Sequence, residues 1–190
     1  MDWILASASP RRKQLFGEVV KTFEIIVAKG EENAKERSPE LLVKSLARQK
    51  AEEVAGLPQA RGKNVLGADT VVAYGDEVLG KPKDEADARR MLRMLSGKTH
   101  EVYTGVCMIY TDALGERRTL VRADCTKVTF HSLSNEFIEE YIRSGSPMDK
   151  AGGYGIQDGG LVEKIQGSFT NVVGLPVELC KEMLQEVQKK

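Results

Sequence analysis

The stretch WILASASPRR, residues 3–12, decides how this chain begins to fold. Its apolar start predicts a strand over 3–6. Ser9 followed by Pro10 predicts the first turn of a helix, because a serine hydroxyl accepts a free backbone N–H there and proline lacks the N–H that would go unpaired. A strand that leads directly into a helix brings the helix N-terminus, two serine hydroxyls and two guanidinium groups to one edge. Such groups favour an anion, and a phosphate above all.

The composition of the 190-residue chain limits the classes of protein to consider. Apolar residues make up 41% and charged residues 29%, which is typical of a soluble globular protein. Lys plus Arg and Asp plus Glu both number 28, so the formal net charge is zero. A protein that coats nucleic acid would show a basic excess, so no nucleic-acid partner is expected. The length suits one domain, and we expect residues 1–190 to form it.

Cysteine usage and hydropathy indicate a cytoplasmic protein. The three cysteines are far apart in the sequence, which suits reduced thiols, and two histidines are too few for a histidine-based metal site. No apolar run approaches the ~20 residues that span a bilayer, and the N-terminus predicts a strand rather than a signal peptide. We therefore expect no membrane partner.

Strand and helix patterns alternate along the chain, which predicts an α/β fold. Helices are expected over 10–18, 39–55, 85–95, 135–143 and 176–187, and strands over 3–6, 23–27, 65–74, 77–79, 99–111, 117–131 and 161–165. The two long runs 99–111 and 117–131 predict an antiparallel hairpin, so the sheet should be mixed. The glycine-rich segment 152–160 is expected to lack regular structure and to wrap a ligand.

Asp69 departs most from its surroundings. It interrupts the β-rich run VLGADTVVAY, residues 65–74, where an unpaired carboxylate would cost several kcal/mol. One interpretation is a carboxylate that binds a metal or activates water. The structural alternative is a carboxylate that caps a bend after Gly67 or forms half of a buried salt bridge.

Cationic side chains stand where charge is unexpected. Lys50 lies on the apolar stripe of its predicted helix, Lys81 lies in a Gly-Lys-Pro turn, and Arg11 and Arg12 oppose the helix dipole. Each has a plain alternative: a lysine whose amine reaches solvent, a turn residue, or exposed first-turn charges. Glu32 also has two interpretations, a solvated loop residue or a metal ligand. Phosphoanhydride cleavage needs such cations and carboxylates, and the sequence lacks the Walker and Rossmann phosphate motifs.

Together these segments resemble the Maf family of nucleoside triphosphate pyrophosphatases. The matching segments occur in family order over nearly the whole chain: LASASPRR (5–12), the glutamates at 31–32, ARQKA (47–51), GADTVV (67–72), GKP (80–82), LSGKTHEVYTGV (95–106), DKAGGYGIQ (149–157) and VVGLP (172–176). The resemblance implies hydrolysis of a nucleoside triphosphate between its α- and β-phosphates, with Mg²⁺ or in its place Mn²⁺ or Co²⁺. It also implies a homodimer and a fold similar to the inosine-triphosphate pyrophosphatases, in which a long bent mixed sheet with flanking helices forms two lobes around a central cleft.

The resemblance also implies roles for individual residues. Asp69 falls where the family places its proton acceptor. The catalytic residues would be Asp69, Glu32, Lys50 and Lys81, the substrate-binding residues Ser7, Arg11, Arg12, Thr70 and Gln157, and the metal ligands Glu32 and Asp69. We expect the serine-arginine corner to bind the triphosphate and the two lysines to neutralise the departing pyrophosphate.

Three positions indicate the substrate. Arg11, Thr70 and Gln157 resemble the branch that acts on dTTP and UTP, whereas the branch that acts on 7-methyl-GTP has Trp, Gln and Glu there. We expect these three side chains to read the pyrimidine, and the activity to limit incorporation of non-standard nucleotides. Two alternatives stay open: a sensor that binds a nucleotide without turnover, since the family has also been linked to inhibition of cell division, and an enzyme for another triphosphate.

Overall fold

The computed structural model describes residues 2–189. Within them, seven strands form one sheet: β1 (Trp3–Leu5), β2 (Phe23–Ile25), β3 (Asn64–Tyr74), β4 (Glu77–Leu79), β5 (Thr99–Thr111), β6 (Arg117–Phe130) and β7 (Val162–Gln166). The α-helices of the same residues are α1 (Pro10–Phe16), α2 (Pro39–Ala55), α3 (Glu85–Leu95), α4 (Asn135–Arg143), α5 (Phe169–Val173) and α6 (Val177–Lys189). Short 3₁₀ turns lie at Pro58–Ala60, Ser146–Asp149, Ala151–Gly153 and Ile156–Asp158.

The sheet is mixed, as predicted. Its strand order is β2-β1-β3-β5-β6-β7, with β4 paired to the far part of β3. β1 runs parallel to β2 and β3, and the other pairs are antiparallel. Leu5 at the end of β1 lies opposite Leu66, while β3 continues to Tyr74. The register therefore places Asp69 beyond the end of β1, beside the start of α1.

Side chains of the sheet point alternately to its two faces, and both faces are buried. On one face, Ile4 and Val65 pack with the α2 residues Ala47 and Ala51. On the other face, the core joins the sheet to α1, α5 and α6, and includes Leu5, Leu66, Phe16, Val173 and Met183. A separate cluster under α3 and α4 includes Leu92, Phe130 and Ile138 and forms the second lobe. The cleft opens between the lobes.

Two glycines in the sheet let α2 lie unusually close to it. A Cβ on Gly67 of β3 would stand 2.4 Å from the Ala47 carbonyl oxygen, and a Cβ on Gly105 of β5 would stand 2.2 Å from the Val43 carbonyl oxygen. Real Cβ atoms do not approach backbone so closely, so only glycine fits at either position. The glycine that interrupts the predicted strand is thus a packing requirement, and it sets the height of Lys50 above the sheet.

The structure corrects several predicted boundaries. α1 ends at Phe16 rather than residue 18, and β7 covers Val162–Gln166 rather than 161–165. The segment 152–160, predicted to be irregular, contains two 3₁₀ turns with positive φ at Gly152, Gly153, Gly159 and Gly160. α5 was not predicted, because five residues are too few for a hydrophobic period. Among residues 2–189, no helix has the length and apolar character needed to cross a membrane.

Candidate active site

The cleft has a volume of about 520 Å³, within the range of about 300–1,000 Å³ usual for small-molecule sites. It lies at the edge where β1 ends and β3 continues. Eight of the nine site residues predicted from the sequence line it: Glu32, Lys50, Asp69, Lys81, Arg11, Arg12, Thr70 and Gln157. These residues come from six separate stretches of the chain, and the topology brings them to one groove.

Ser7 is the predicted site residue that the structure does not place in the cleft wall. It is buried, and its hydroxyl accepts a hydrogen bond from the Ser9 backbone N–H at 3.2 Å. Ser9 lines the cleft in its place and caps α1, with its hydroxyl accepting from the Arg12 N–H at 3.4 Å. In this arrangement Ser7 orients the loop before α1, while Ser9 lines the cleft.

A lysine joins the two candidate carboxylates. The Nζ of Lys50 donates to Asp69 Oδ1 and lies 2.8 Å from Glu32 Oε1. The Asp69 side chain is 12% exposed and the Glu32 side chain 55% exposed, so the first is held inside the wall and the second reaches it from the loop. Because both carboxylates reach the same ammonium, their oxygens converge on one point. Asp69 therefore forms a salt bridge, as one of its two interpretations from the sequence predicted.

Arg12 is held from two directions. Its Nε donates to the Gly174 carbonyl oxygen at 2.8 Å, and an Nη donates to Thr70 Oγ1 at 2.9 Å. Burial lowers the pKa of its guanidinium, an effect that Arg11 adds to and Asp69 opposes, yet arginine stays charged. A partly buried cation with donors to spare, aimed into a cleft, is suited to an oxyanion.

Arg11 also lines the cleft, and it pairs with Asp149, an acid that is not among the site residues predicted from the sequence. Its Nη1 lies 3.1 Å from Asp149 Oδ2, in a partly exposed ion pair. The Lys150 Nζ donates to Asp149 Oδ1 at 2.8 Å and to the Ser146 carbonyl oxygen at 2.6 Å. These residues build the rim that carries Gln157, and the DKAGGYGIQ motif was the signal that could have found them.

Lys81 remains available to a ligand. It lines the cleft, is exposed, and its Nζ has neither a hydrogen-bond nor an ion-pair partner in the described part of the chain. The Gly152 N–H donates to the Gly80 carbonyl oxygen at 2.9 Å, which ties the glycine-rich segment to the turn that carries Lys81.

A buried histidine contacts the glycine-rich segment through Tyr154. His100 Nε2 lies 2.8 Å from the Tyr154 hydroxyl, and both rings stack edge-on against Phe130. Burial lowers the pKa of His100 to about 4. The neutral imidazole and Tyr154 together fix the segment on β5, which gives His100 a structural role.

The fold is similar to that of solved Ham1 proteins. The solved structure of the Ham1 protein of Staphylococcus aureus superposes with a TM-score of 0.57 at 14% sequence identity, covering 98% of this chain and 99% of that one. A HAM1 protein of Coxiella burnetii gives a TM-score of 0.54 at 15% identity, with the same coverage. At such low identity these matches show the fold alone, and they confirm the predicted α/β class with two lobes around a cleft.

The sequence then places the chain within that class. The family model described as "Maf-like protein" matches residues 2–187, and the chain belongs to this family. A protein of Agathobacter rectalis named dTTP/UTP pyrophosphatase is 49% identical over 199 residues, 98% of this chain and 96% of that protein. Proteins of the same name from Bacillus mycoides and Bacillus cereus are 48% and 50% identical, each over 96% of this chain and 94% of the relative.

Proposed function

We propose that this protein hydrolyses dTTP and UTP between the α- and β-phosphates, giving the nucleoside monophosphate and pyrophosphate. The observation that carries the proposal is the convergence of Arg12, Lys81 and the Glu32–Lys50–Asp69 cluster in one cleft. Relatives about half identical in sequence bear the name dTTP/UTP pyrophosphatase. Scission of a phosphoanhydride depends on positioning and charge stabilisation, and these are the groups that the cleft supplies.

Glu32 and Asp69 fit a divalent cation. Both carboxylates contact the Lys50 ammonium through one oxygen, so they lie close together and each keeps a second oxygen for an ion beside that ammonium. Among residues 2–189 no group of three or more His, Cys, Asp and Glu side chains converges to hold a metal ion. Mg²⁺ accepts one or two carboxylates when phosphate oxygens and water complete its shell, so it suits the pair better than a metal that needs a full protein cage. When bound, the ion neutralises charge on the phosphate oxygens.

Asp69 is the proposed general base. It is the more buried of the two carboxylates, and Lys50 fixes one of its oxygens. The other oxygen is available to orient a water and accept its proton as the water attacks the α-phosphorus. Since Lys50 is engaged with both acids, its role is to hold them, and Lys81 is the cation left to stabilise the departing pyrophosphate.

The pyrimidine would lie at the Arg11 and Gln157 end of the cleft. The Gln157 amide offers an acceptor and a donor that match the N3–H and O4 of thymine or uracil. Because a free amide could turn round to face the N3 and amino group of cytosine, selection against cytosine needs a donor-only group beside it, and Arg11 is such a group. The ion pair of Arg11 with Asp149 is partly exposed and so contributes little, which leaves the guanidinium able to donate to a base carbonyl instead.

A panel of triphosphates tests the proposed function. Purified protein with Mg²⁺ is assayed for monophosphate and pyrophosphate from dTTP, UTP, dCTP, ATP and 7-methyl-GTP. We expect dTTP and UTP to give the highest kcat/KM. Tight binding of dTTP without pyrophosphate release would favour the sensor, and a preference for 7-methyl-GTP would overturn the assignment of the base-reading residues.

Four further proposals concern the cellular context. We propose a cytoplasmic location on the grounds of cysteine usage and hydropathy. On the family resemblance we propose a homodimer, a role in limiting incorporation of non-standard nucleotides, and a link to arrest of cell division. Light scattering of the purified protein tests the dimer, and turnover of modified pyrimidine triphosphates tests the role in nucleotide quality.

A further inference from the structure

A chain of hydroxyl groups connects Arg12 to the second half of the sheet. Thr70 of β3 and Thr104 of β5 lie directly opposite each other, and their Oγ1 atoms are 3.0 Å apart. The Arg12 guanidinium donates to Thr70 Oγ1 at 2.9 Å. At the far end Thr104 Oγ1 donates to the Asn171 carbonyl oxygen at 2.9 Å. Thr70 is among the site residues predicted from the sequence, and Thr104 is not.

The direction of this chain is fixed by its two ends. A carbonyl oxygen can only accept and a guanidinium can only donate, while each hydroxyl carries a single proton. Thr104 gives its proton to the Asn171 carbonyl, so Thr70 must give its own proton to Thr104. Thr70 then presents one lone pair to Arg12 and has no proton left to donate to a carbonyl of a nucleobase, so it could touch a base only through its second lone pair.

The far end of the chain is rigid. Thr104 and Asn171 are both 0% exposed. The Asn171 Nδ2 donates to the Val102 carbonyl oxygen at 2.9 Å and to Thr126 Oγ1 at 3.0 Å, which clamps α5 to the sheet. A hydroxyl chain anchored at such a point holds the guanidinium in one orientation before any ligand arrives.

We propose that Thr104 and Thr70 are positioning residues that aim Arg12 at the phosphate groups, and that Thr70 acts on phosphate binding through Arg12. The inference rests on the proposed function, since it assigns the phosphates to the Arg12 side of the cleft. It gives Thr70 a role different from the base-reading one expected from the resemblance. It also adds Thr104, a fully buried residue, to the determinants of affinity.

Inorganic tripolyphosphate is the probe that separates the two roles, because it has phosphates and no base. Its affinity in the presence of Mg²⁺ is measured by titration calorimetry for Thr70→Val and Thr104→Val, with Thr70→Ser and Thr104→Ser as controls that keep the hydroxyl. Freeing one long side chain costs enough ordering entropy to weaken binding about fivefold, which we expect for Thr70→Val. Thr104→Val leaves the Arg12–Thr70 hydrogen bond in place, so we expect a smaller weakening of tripolyphosphate binding, about threefold, from the same loss of ordering. Both serine variants should bind within about twofold of the unaltered protein on this scale.

A double-mutant cycle shows whether the effect passes through the arginine. In an Arg12→Ala background, Thr104→Val should have no further effect on tripolyphosphate binding. The kcat/KM ratio of dTTP to dCTP should stay constant in Thr70→Val while KM rises for both. A fall in that ratio with unchanged tripolyphosphate affinity would make Thr70 a base reader and overturn the inference. Equal losses in the valine and serine variants would reduce Thr104 to packing.

The calorimetry also keeps this inference apart from the proposed function. If the unaltered protein binds tripolyphosphate but releases no pyrophosphate from dTTP, the proposed function fails while the cycle still decides the role of the threonines. If the unaltered protein does not bind tripolyphosphate at all, the inference itself is wrong.

Discussion

Replacing Gly67 by alanine tests how the fold positions Lys50. The added Cβ would stand 2.4 Å from the Ala47 carbonyl oxygen and 2.8 Å from the Ala51 nitrogen, both in the backbone of α2. Ordinary contact begins at 3.4 Å, so α2 must retreat by 3.4 − 2.4, or about 1 Å. Overpacking of this kind costs about 1–3 kcal/mol. The retreat also draws Lys50 away from Asp69.

Two assays follow the retreat of α2. We expect Gly67→Ala to lower the free energy of unfolding in urea by about 2 kcal/mol. A displacement of about 1 Å at a catalytic group can cost about 100-fold, so we expect kcat/KM for dTTP to fall by about 10- to 100-fold.

Gly56→Ala is the matched control for Gly67→Ala. Gly56 follows the same helix at φ −77°, and its Cβ would meet Glu52 and Glu53 carbonyl oxygens at an ordinary 3.5 Å. That variant should keep full activity and stability, or gain about 0.4–1 kcal/mol because alanine restricts the unfolded chain. If Gly67→Ala matches the control in both assays, α2 does not depend on the close approach and the reasoning is refuted.

Three further changes test separate parts of the account. Arg12→Ala should weaken tripolyphosphate binding by about 1.5–3 kcal/mol and leave thymidine binding nearly unchanged, as measured by calorimetry; equal losses would contradict a phosphate role. Gln157→Ala should reduce the kcat/KM preference for dTTP over dCTP, and an unchanged preference would remove Gln157 from base reading. His100 has its pKa lowered by burial from 6.5 to about 4, so the unfolded chain binds a proton that the folded protein excludes. Stability should therefore fall by about 3 kcal/mol more between pH 7 and pH 4 in the unaltered protein than in His100→Gln, and parallel urea-unfolding profiles would contradict the assignment.

Local sequence patterns predicted many of the helices and strands correctly. The bounds of α2 and α4 and of β4 and β5 agree with those predicted, because each has a clear start signal or an uninterrupted β run. α5 escaped prediction because five residues show no period. The 3₁₀ turns in 152–160 escaped because they depend on distant partners, including Tyr154 against His100.

The candidate site was predicted as a set of residues but not as a set of contacts. Asp69 and Lys50 could be found because each is a charge in an apolar pattern. The anchor of Arg12 on the Gly174 carbonyl could not, because the two residues are 162 positions apart and a carbonyl has no signature in sequence. Ser7 and Ser9 could not be told apart either, since only the turn of the backbone decides which hydroxyl faces the cleft.

The fate of isotopically labelled water tests the central claim most directly. The protein is incubated with dTTP and Mg²⁺ in ¹⁸O-enriched water, and the products are analysed by mass spectrometry beside the Asp69→Asn variant. Attack on the α-phosphorus predicts labelled dTMP with unlabelled pyrophosphate, and loss of both products in the variant. Label in the pyrophosphate, release of orthophosphate with dTDP, or near-native turnover in Asp69→Asn would contradict the account.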